Sequence, residues 1–275
     1  MQGASRGSLA ALRDRLSGLT DDADEAALQQ LSGELFGVVT VLAGPGGVRR
    51  TLSDPAIDSA RKEQFVDTLF GQRVSATTTE LLKQVAKTRW AAPGDVVDAM
   101  ESLAVEAALV GAERQDQLDE VEDGLFRLER ILASEHQLRA ALTDRLLPAE
   151  RKVELLHRLL DDKVADTTFA LVERAVIAPR GRTVERVLRE FSELAASRRE
   201  RLIARVTSAV ALTEDQQERL IARLREAYGR GIRLQLVVDP SLIGGVTVRI
   251  GDEQIDGSVL RHLTEARRQL SGQSR

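Results

Sequence analysis

The sequence predicts a mainly α chain with a small α/β C-terminal domain: tandem helical bundles followed by a strand-helix-strand-hairpin-helix module. Three observations lead there. Apolar residues recur at helical spacing through most of the chain. Part of that helical region repeats itself at an offset of 90 residues. Between Ile232 and Ile250 the period changes to 2, the signature of half-buried strands. The expected division is an extra N-terminal helical module at 1–95, a helical bundle at 96–202 and an α/β domain at 203–275.

Leu9, Leu12 and Leu16 open the first helix, and Leu28, Leu31, Leu35, Val38, Val39 and Leu42 carry the next. Gly44-Pro45-Gly46-Gly47 ends it, since proline lacks the amide hydrogen a helix needs. Asp54-Pro55 makes a turn before a helix bearing Phe65, Val66, Leu69 and Phe70. Thr77-Thr78-Thr79 starts another, with Leu81, Leu82 and Val85 inside. Pro93-Gly94-Asp95 breaks the chain again, and an alanine-rich helix follows over 96–110.

Residues 41–86 then align with 131–176 without a gap. Asp54/Asp144, Arg61-Lys62/Arg151-Lys152 and Thr77-Thr78/Thr167-Thr168 are identical pairs. Two amphipathic helices share apolar positions by chance, but not polar coincidences of this kind together. Two copies make a tandem doubling and not a solenoid. In the second copy a helix spans 118–132, a turn 144–148, and a further helix 149–160 with Arg151-Lys152 on its outer side. After Pro179-Arg180-Gly181 a long helix runs from 184 to about 202 and buries Val187, Leu188, Phe191 and Leu194. Trp90, the single tryptophan, is expected in core or hinge packing between modules.

In the last segment Val206 and Val210 flank a strand ending near Ala211. Thr213 and Gln216 form a capping box worth about 1 kcal/mol, and Leu220, Ile221, Leu224 and Ala227 give the helix behind it one buried face. Ile232, Leu234, Leu236 and Val238 alternate with Arg233, Gln235 and Val237; Val246, Val248 and Ile250 alternate with Thr247 and Arg249. Two half-buried strands joined through a turn follow. Pro240 stops the first, and Gly244-Gly245 supplies positive φ or close backbone approach. Ser258 is placed to cap a last helix.

A chain of 275 residues has room for two or three domains. With aromatics at 3%, the cores must be built from Leu, Val, Ile and Ala. The absence of cysteine excludes disulfides, thiolate zinc sites and cysteine catalysis. A net charge of −4 argues against nucleic acid as the main partner. No apolar run is expected to reach the roughly 18–20 residues that span a bilayer. The longest candidate, 36–48, contains Thr40, Pro45 and several glycines, and residues 1–16 lack a signal peptide's apolar core. A cytoplasmic or peripheral membrane protein is expected.

Isolated motifs carry little. Gly3-Ala4-Ser5-Arg6-Gly7 has nucleophile-elbow spacing but no preceding strand, and a disordered terminus is expected there. Gly44-Pro45-Gly46-Gly47 lacks the Lys-Ser/Thr of a phosphate loop and reads as a helix-ending turn. Asp239, Asp252, Glu253 and Asp256 sit at turns, without EF-hand spacing. His136, His157 and His262 lie in separate helices without i, i+4 partners. The basic run at 197–201 is interleaved with Glu190, Glu193 and Glu200, as a solvated helix face is. No catalytic, cofactor-binding or metal-binding residue is assigned.

One ordered set does carry a resemblance. Ile232, Leu234, Val238-Asp239, Leu242, Gly244-Gly245-Val246, Val248-Arg249 and Gly251 resemble the C-terminal signature of the delta-subunit family of F-type ATP synthases, which includes the mitochondrial oligomycin-sensitivity-conferring protein. Val206-Thr207-Ser208-Ala209-Val210-Ala211-Leu212-Thr213 is similar to the family's other fixed segment, and Ile255-Asp256-Gly257-Ser258-Val259 with Leu263 and Leu270 also fits. The resemblance is specific over about 100–271. It implies a non-catalytic stator subunit of the proton-transporting ATP synthase, peripheral on the cytoplasmic face of a bacterial cell membrane, without cofactor. It implies that the helical domain binds N-terminal segments of the head's α subunits by helix-in-groove docking. It further implies that the C-terminal domain meets the b-type peripheral stalk, so that rotor torque drives ATP synthesis. The first copy departs from the usual single bundle, although a longer form with an added helical module is known in some bacterial members. From the residues alone, two other readings stay open: a helical nucleic-acid-binding or other adaptor without catalytic activity, and an enzyme working through the acidic turns.

Overall fold

Asp24, Asp58 and Ser75 each stand one residue before an apolar-periodic run, and each side chain accepts a hydrogen bond from a first-turn backbone amide. In the computed structural model, which describes residues 3–144, 146–201, 203–228, 233–240, 242, 245–250 and 253–256, these caps start three of twelve helices. The chain divides into two compact units, Met1–Ala195 and Ala196–Arg275.

The first unit begins with α1 (Ala4–Thr20), α2 (Glu25–Ala43), the short α3 (Val48–Ser53), α4 (Ser59–Phe70), α5 (Ala76–Lys87) and α6 (Pro93–Arg114). It continues with α7 (Leu118–Ser134), α8 (His136–Thr143), α9 (Ala149–Leu160), α10 (Asp166–Ile177) and most of α11 (Val184–Arg201), whose last residues from Ala196 fall in the second unit. α9 and α10 lie 90 residues beyond α4 and α5 at both ends. α7 and α8 answer α2 and α3 at nearly the same offset. α6 answers α1, and α11 answers α6. The doubling therefore covers the whole helical region, and α6 belongs to both copies. Its burial fits that double role: 13 of its 22 residues are buried, more than a single apolar stripe accounts for. It packs against α1, α2 and α3 of the first copy and against α7 and α10 of the second.

Several expectations change here. Pro93 does not separate helices but stands at the first turn of α6, where its missing amide costs nothing. Residues 3–7 are ordered: α1 starts at Ala4, and the buried Ser5 hydroxyl donates to Asp95 Oδ2 at 2.7 Å. α3 and α8 are additions, too short to declare a period. In α11 Ala195 is buried where Leu194 was expected, with Leu194 half-buried. Lys152 is half-buried, not outward, and its counterpart Lys62 is buried. Trp90 is buried, its indole N–H donating to the Val85 carbonyl at 3.0 Å. Among the described residues, α2 is the one helix long and apolar enough to cross a membrane by length and composition, so the reach of 36–48 understated this segment. In the fold it is a packed helix. Leu28, Leu31, Leu35, Val38, Val39 and Leu42 are buried, and the Ser32 hydroxyl donates to the Ala104 carbonyl at 2.9 Å.

The second unit holds β1 (Ile203–Ser208), α12 (Glu214–Tyr228), β2 (Arg233–Val238), β3 (Val246–Ile250) and β4 (Glu253–Asp256). The sheet order is β2-β1-β3-β4. β1 and β2 are parallel, which requires the crossover that α12 provides. β1–β3 and β3–β4 are antiparallel. The two alternating segments thus flank β1 and do not pair with each other. Alternation fixes which face a strand buries but not its neighbour. Asp239 N–H donates to Ser208 O at 2.9 Å, carrying the connection past the end of β1. Ala204, Val206, Leu224, Val248 and Ile250 form the core, with Leu212, Leu220, Leu234 and Val246 packed against it. The capping box is present: Thr213 N–H donates to Gln216 Oε1 at 2.9 Å, and Gln216 N–H to Thr213 Oγ1 at 3.4 Å. β1 stops at Ser208, and Val210 is exposed, not part of a strand. Leu236 and Val238 are exposed on the edge strand β2, where half-burial was expected. Gly244, Asp252 and the last helix expected from Ser258 lie outside the described residues.

Candidate functional site

A charged interior of the helical unit is built around α6. Half of its residues are Ala, Val or Leu, yet it buries two carboxylates, Glu101 and Glu106. A buried carboxylate is stable only when paired. Glu106 is paired with Arg13 of α1, and the Ser102 hydroxyl donates to it at 3.3 Å. Glu101 is paired with Arg180 at 3.1 Å and Arg182 at 2.7 Å, both from the α10–α11 connection. Arg180 also binds Asp98, and Arg182 reaches Glu190 of α11 at 2.5 Å. Burial alone would lower the Arg182 pKa; the hydrogen bond and charge of Glu101, with Glu190 beside it, raise it instead. The connection makes its turn through two left-handed residues, Arg180 at φ 54° and Gly181 at φ 79°. The shared helix is thus ion-paired to α1 through Glu106 and to the α10–α11 connection through Glu101.

A second polar cluster joins α2 to the start of α5. Glu34 Oε2 accepts from the Ser75 amide at 2.9 Å, from the Ser75 hydroxyl at 2.7 Å and from the Thr78 hydroxyl. Gln30 donates to Oε1 at 2.8 Å. Burial alone would raise this carboxyl's pKa, but the hydrogen bonds outweigh it and hold the group below its ordinary value.

Beside α6 a cleft of about 310 Å³ opens between α2, α6 and α10, lined by Leu28, Gly33, Phe36, Gly111, Ala170 and Arg174 among others. The Arg174 guanidinium lies over the Phe36 ring, 5.2 Å from its centroid. The residues pair a cation with an aromatic face and close a junction between the copies. They do not assemble a nucleophile, base and oxyanion donors.

The residues weighed in the sequence scatter. Asp239 begins the bend at the end of β2, accepting from Leu242 N–H at 3.1 Å, and Asp256 ends β4 opposite Thr247. His136 Nδ1 lies 3.2 Å from the Ser134 carbonyl, and His157 packs on Phe169 with 4.4 Å between ring centroids. His262 lies outside the described residues. Gly44-Pro45-Gly46-Gly47 is the turn between α2 and α3, with Gly47 at φ 72° and Arg49 donating to the Leu42 and Ala43 carbonyls. Among the described residues, no three His, Cys, Asp or Glu side chains come together as metal ligands would. Sequence reasoning missed Glu101, Arg180 and Arg182. Three acids embedded in the apolar run of α6, Asp98, Glu101 and Glu106, were the available signal.

The family model described as ATP synthase delta (OSCP) subunit matches residues 17–108 and 104–270. The two matches overlap inside α6. The chain is similar to the ATP synthase subunit delta of Acidothermus cellulolyticus, 46% identical over 98% of this chain and 100% of that one. It is 45% identical to the subunit delta of Streptomyces coelicolor, over 98% of each chain, and 42% identical to that of Thermobifida fusca, over 99% and 100%. A solved structure, the Toxoplasma gondii mitochondrial ATP synthase hexamer, contains a chain that aligns at 18% identity and a TM-score of 0.32, covering 60% of this chain and 94% of that one. That last likeness is too distant to carry an argument.

Proposed function

The chain belongs to the ATP synthase delta (OSCP) subunit family, and from that membership we propose how its units divide the family's work. It is a non-catalytic structural subunit of the F-type ATP synthase, a membrane-associated complex. Its role is that of a stator: it links the catalytic head to the peripheral stalk, so that rotor torque changes catalytic sites instead of spinning the head. The observation that carries this reading is the double family match, which takes in nearly the whole chain.

The helical bundle at 96–202 binds N-terminal segments of the head's α subunits. The α/β domain at 203–275 meets the b-type stalk. The extra module at 1–95 enlarges the helical unit around α6, and the complex sits at the cytoplasmic face of a bacterial membrane. Nucleic acid is not a partner, in keeping with the net charge of −4. What supports the division is physical. The sheet core is built from its own residues, Ala204, Val206, Leu224, Val248 and Ile250. The helical unit has a separate core around α6. Each is therefore able to keep one partner.

The test is coupling. Membranes without this chain should still hydrolyse ATP but should not pump protons with it, and adding the purified chain should restore pumping. Full ATP-driven pumping in its absence overturns the stator role. For the division, a full-length chain with Gly245→Val should lose stalk binding while still binding an α-subunit N-terminal peptide. Loss of the peptide and retention of the stalk would reverse the assignment.

A further inference from the structure

The internal doubling shows what one exposed patch is built to receive. α2 and α7 occupy equivalent places. Leu28, Leu31, Leu35, Val38 and Leu42 correspond to Leu118, Val121, Leu125, Leu128 and Leu132, and all ten are buried. Phe36 corresponds to Phe126, and here the copies part. Phe36 is 7% exposed, under Arg174 of α10, with Ala170 and Leu171 lining the same cleft. Phe126 is 50% exposed, and the cation near its ring, Arg130 at 5.9 Å, comes from its own helix. The neighbouring positions differ in charge as well. Gln29, Ser32 and Gly33 on α2 become Asp119, the half-buried Glu122 and Asp123 on α7, at helical spacing with Phe126, and Asp123 is ion-paired at 3.3 Å with the exposed Arg127 of its own helix.

We propose that the Asp119–Asp123–Phe126 face of α7 is a docking surface for a basic amphipathic helix of a partner subunit in the assembled complex. The covered copy defines the occupant: a helix that presents a small apolar residue and, one turn on, a cation over the aromatic ring, as α10 does with Ala170 lining the cleft and Arg174 over Phe36. The exposed Asp119 and Asp123 select further Lys or Arg on the same helix by charge complementarity, a docked cation sharing Asp123 with Arg127. An aromatic anchor beside charged groups is the composition of an interface centre, and helix-on-helix docking is the mode that buries it. The proposal rests on the family reading only in that the partner belongs to the ATP synthase.

The chain has no cysteine, so Phe126→Cys introduces a unique thiol at an exposed site that leaves the core intact. Its maleimide labelling is followed by mass in the free full-length chain and in the purified complex. The expected result is rapid labelling of the free chain and labelling slowed by about tenfold or more in the complex, the scale of a buried contact. Equal rates in the two samples, or a thiol already protected in the free chain, overturn the proposal while leaving the stator reading intact. Failure of the unsubstituted chain to enter the complex overturns both. A photo-crosslinking residue at position 126 supplies the chemistry: the captured segment should be helical with Lys or Arg within a turn of the attachment point. Capture of an acidic segment refutes the charge argument and with it the stated occupant.

Discussion

At the scale of single residues, the two copies show how one identity has two environments. Thr78 and Thr168 are equivalent and both buried. Thr78 donates to Glu34, whereas position 124 in the second copy is glycine, and Thr168 Oγ1 has no hydrogen-bond partner among the described residues. An unpaired buried hydroxyl carries its desolvation cost without compensation. Thr78→Val should therefore destabilise the helical unit by about 1–3 kcal/mol, and Thr168→Val should be neutral or stabilising, both read from urea midpoints. Equal losses from the two would show that the environments do not differ. A Cβ added at Gly124 would come within 2.8 Å of Thr168 Cγ2, so Gly124→Ala should cost about 1–3 kcal/mol by overpacking. Glu34 adds a pH dependence. Its folded pKa lies below the ordinary value of 4.5, so its contribution is present above that value and is lost as the pH falls through the folded pKa. Glu34→Gln should be less stable than wild type at neutral pH, and the gap should close below about pH 4.5. A gap independent of pH would assign the loss to shape instead of charge. The sequence displayed the Thr-Thr identity but not this contrast. The deciding pair, Glu34 and Gly124, lies outside the aligned 41–86 and 131–176, and a hydroxyl's partner is set by packing, not by period.

At the scale of elements, long amphipathic helices were legible because many residues vote on one period. α4 and α9 were read from Phe65, Val66, Leu69 and Phe70 and their counterparts. α3, with 6 residues, and α8, with 8, gave too few. Pro93 misled because proline ends helices and also opens them, and only the caps tell which. The strands were legible and their order was not, since pairing is decided by the crossover through α12. Among the described residues of the connection from β2 to β3, Gly245 has a positive φ, 86°. Gly245→Val should destabilise the α/β unit by about 1–3 kcal/mol while the helical unit melts as before. A single unchanged melting curve would remove the backbone constraint from the argument. At α6, Glu101→Ala leaves Arg180 and Arg182 facing each other in a largely enclosed site. Breaking a buried ion pair on one side typically costs about 3–5 kcal/mol, and the helical unit's urea midpoint should fall accordingly. A midpoint within error of wild type would mean that the arginines find water or Glu190 without loss.

At the scale of the whole molecule, sharing α6 decides what can be cut. A tandem doubling suggests two bundles joined by a linker, the first removable. The structure gives the copies one helix in common, with Met100, Leu103, Val105 and Leu109 wholly buried within it. Deleting residues 1–92 would preserve α6 as a sequence but strip away α1, α2 and α3, which cover one side of it. Each large apolar side chain returned to water costs about 1.5–3 kcal/mol. Three or four of them equal the net stability of a domain, about 5–15 kcal/mol. A chain of residues 93–275 should therefore lose the cooperative unfolding transition of the helical unit and bind a hydrophobic dye, measured by far-UV circular dichroism and dye fluorescence against the full chain. The α/β unit, which has its own core, should keep its transition in the same sample. If residues 93–275 instead unfold with the full chain's two transitions at unchanged midpoints, α6 is held by the second copy alone and the first copy is an appendage. The distinction bears on function directly. A stator transmits torque through whatever is continuous and stiff, and a helix buried from both sides, ion-paired through Glu106 to α1 and through Glu101 to the α10–α11 connection, couples the first copy to the second without a flexible joint. Loss of coupling in a truncated chain would then report unfolding and not a missing contact. Substitutions in the full chain are the ones that separate the two.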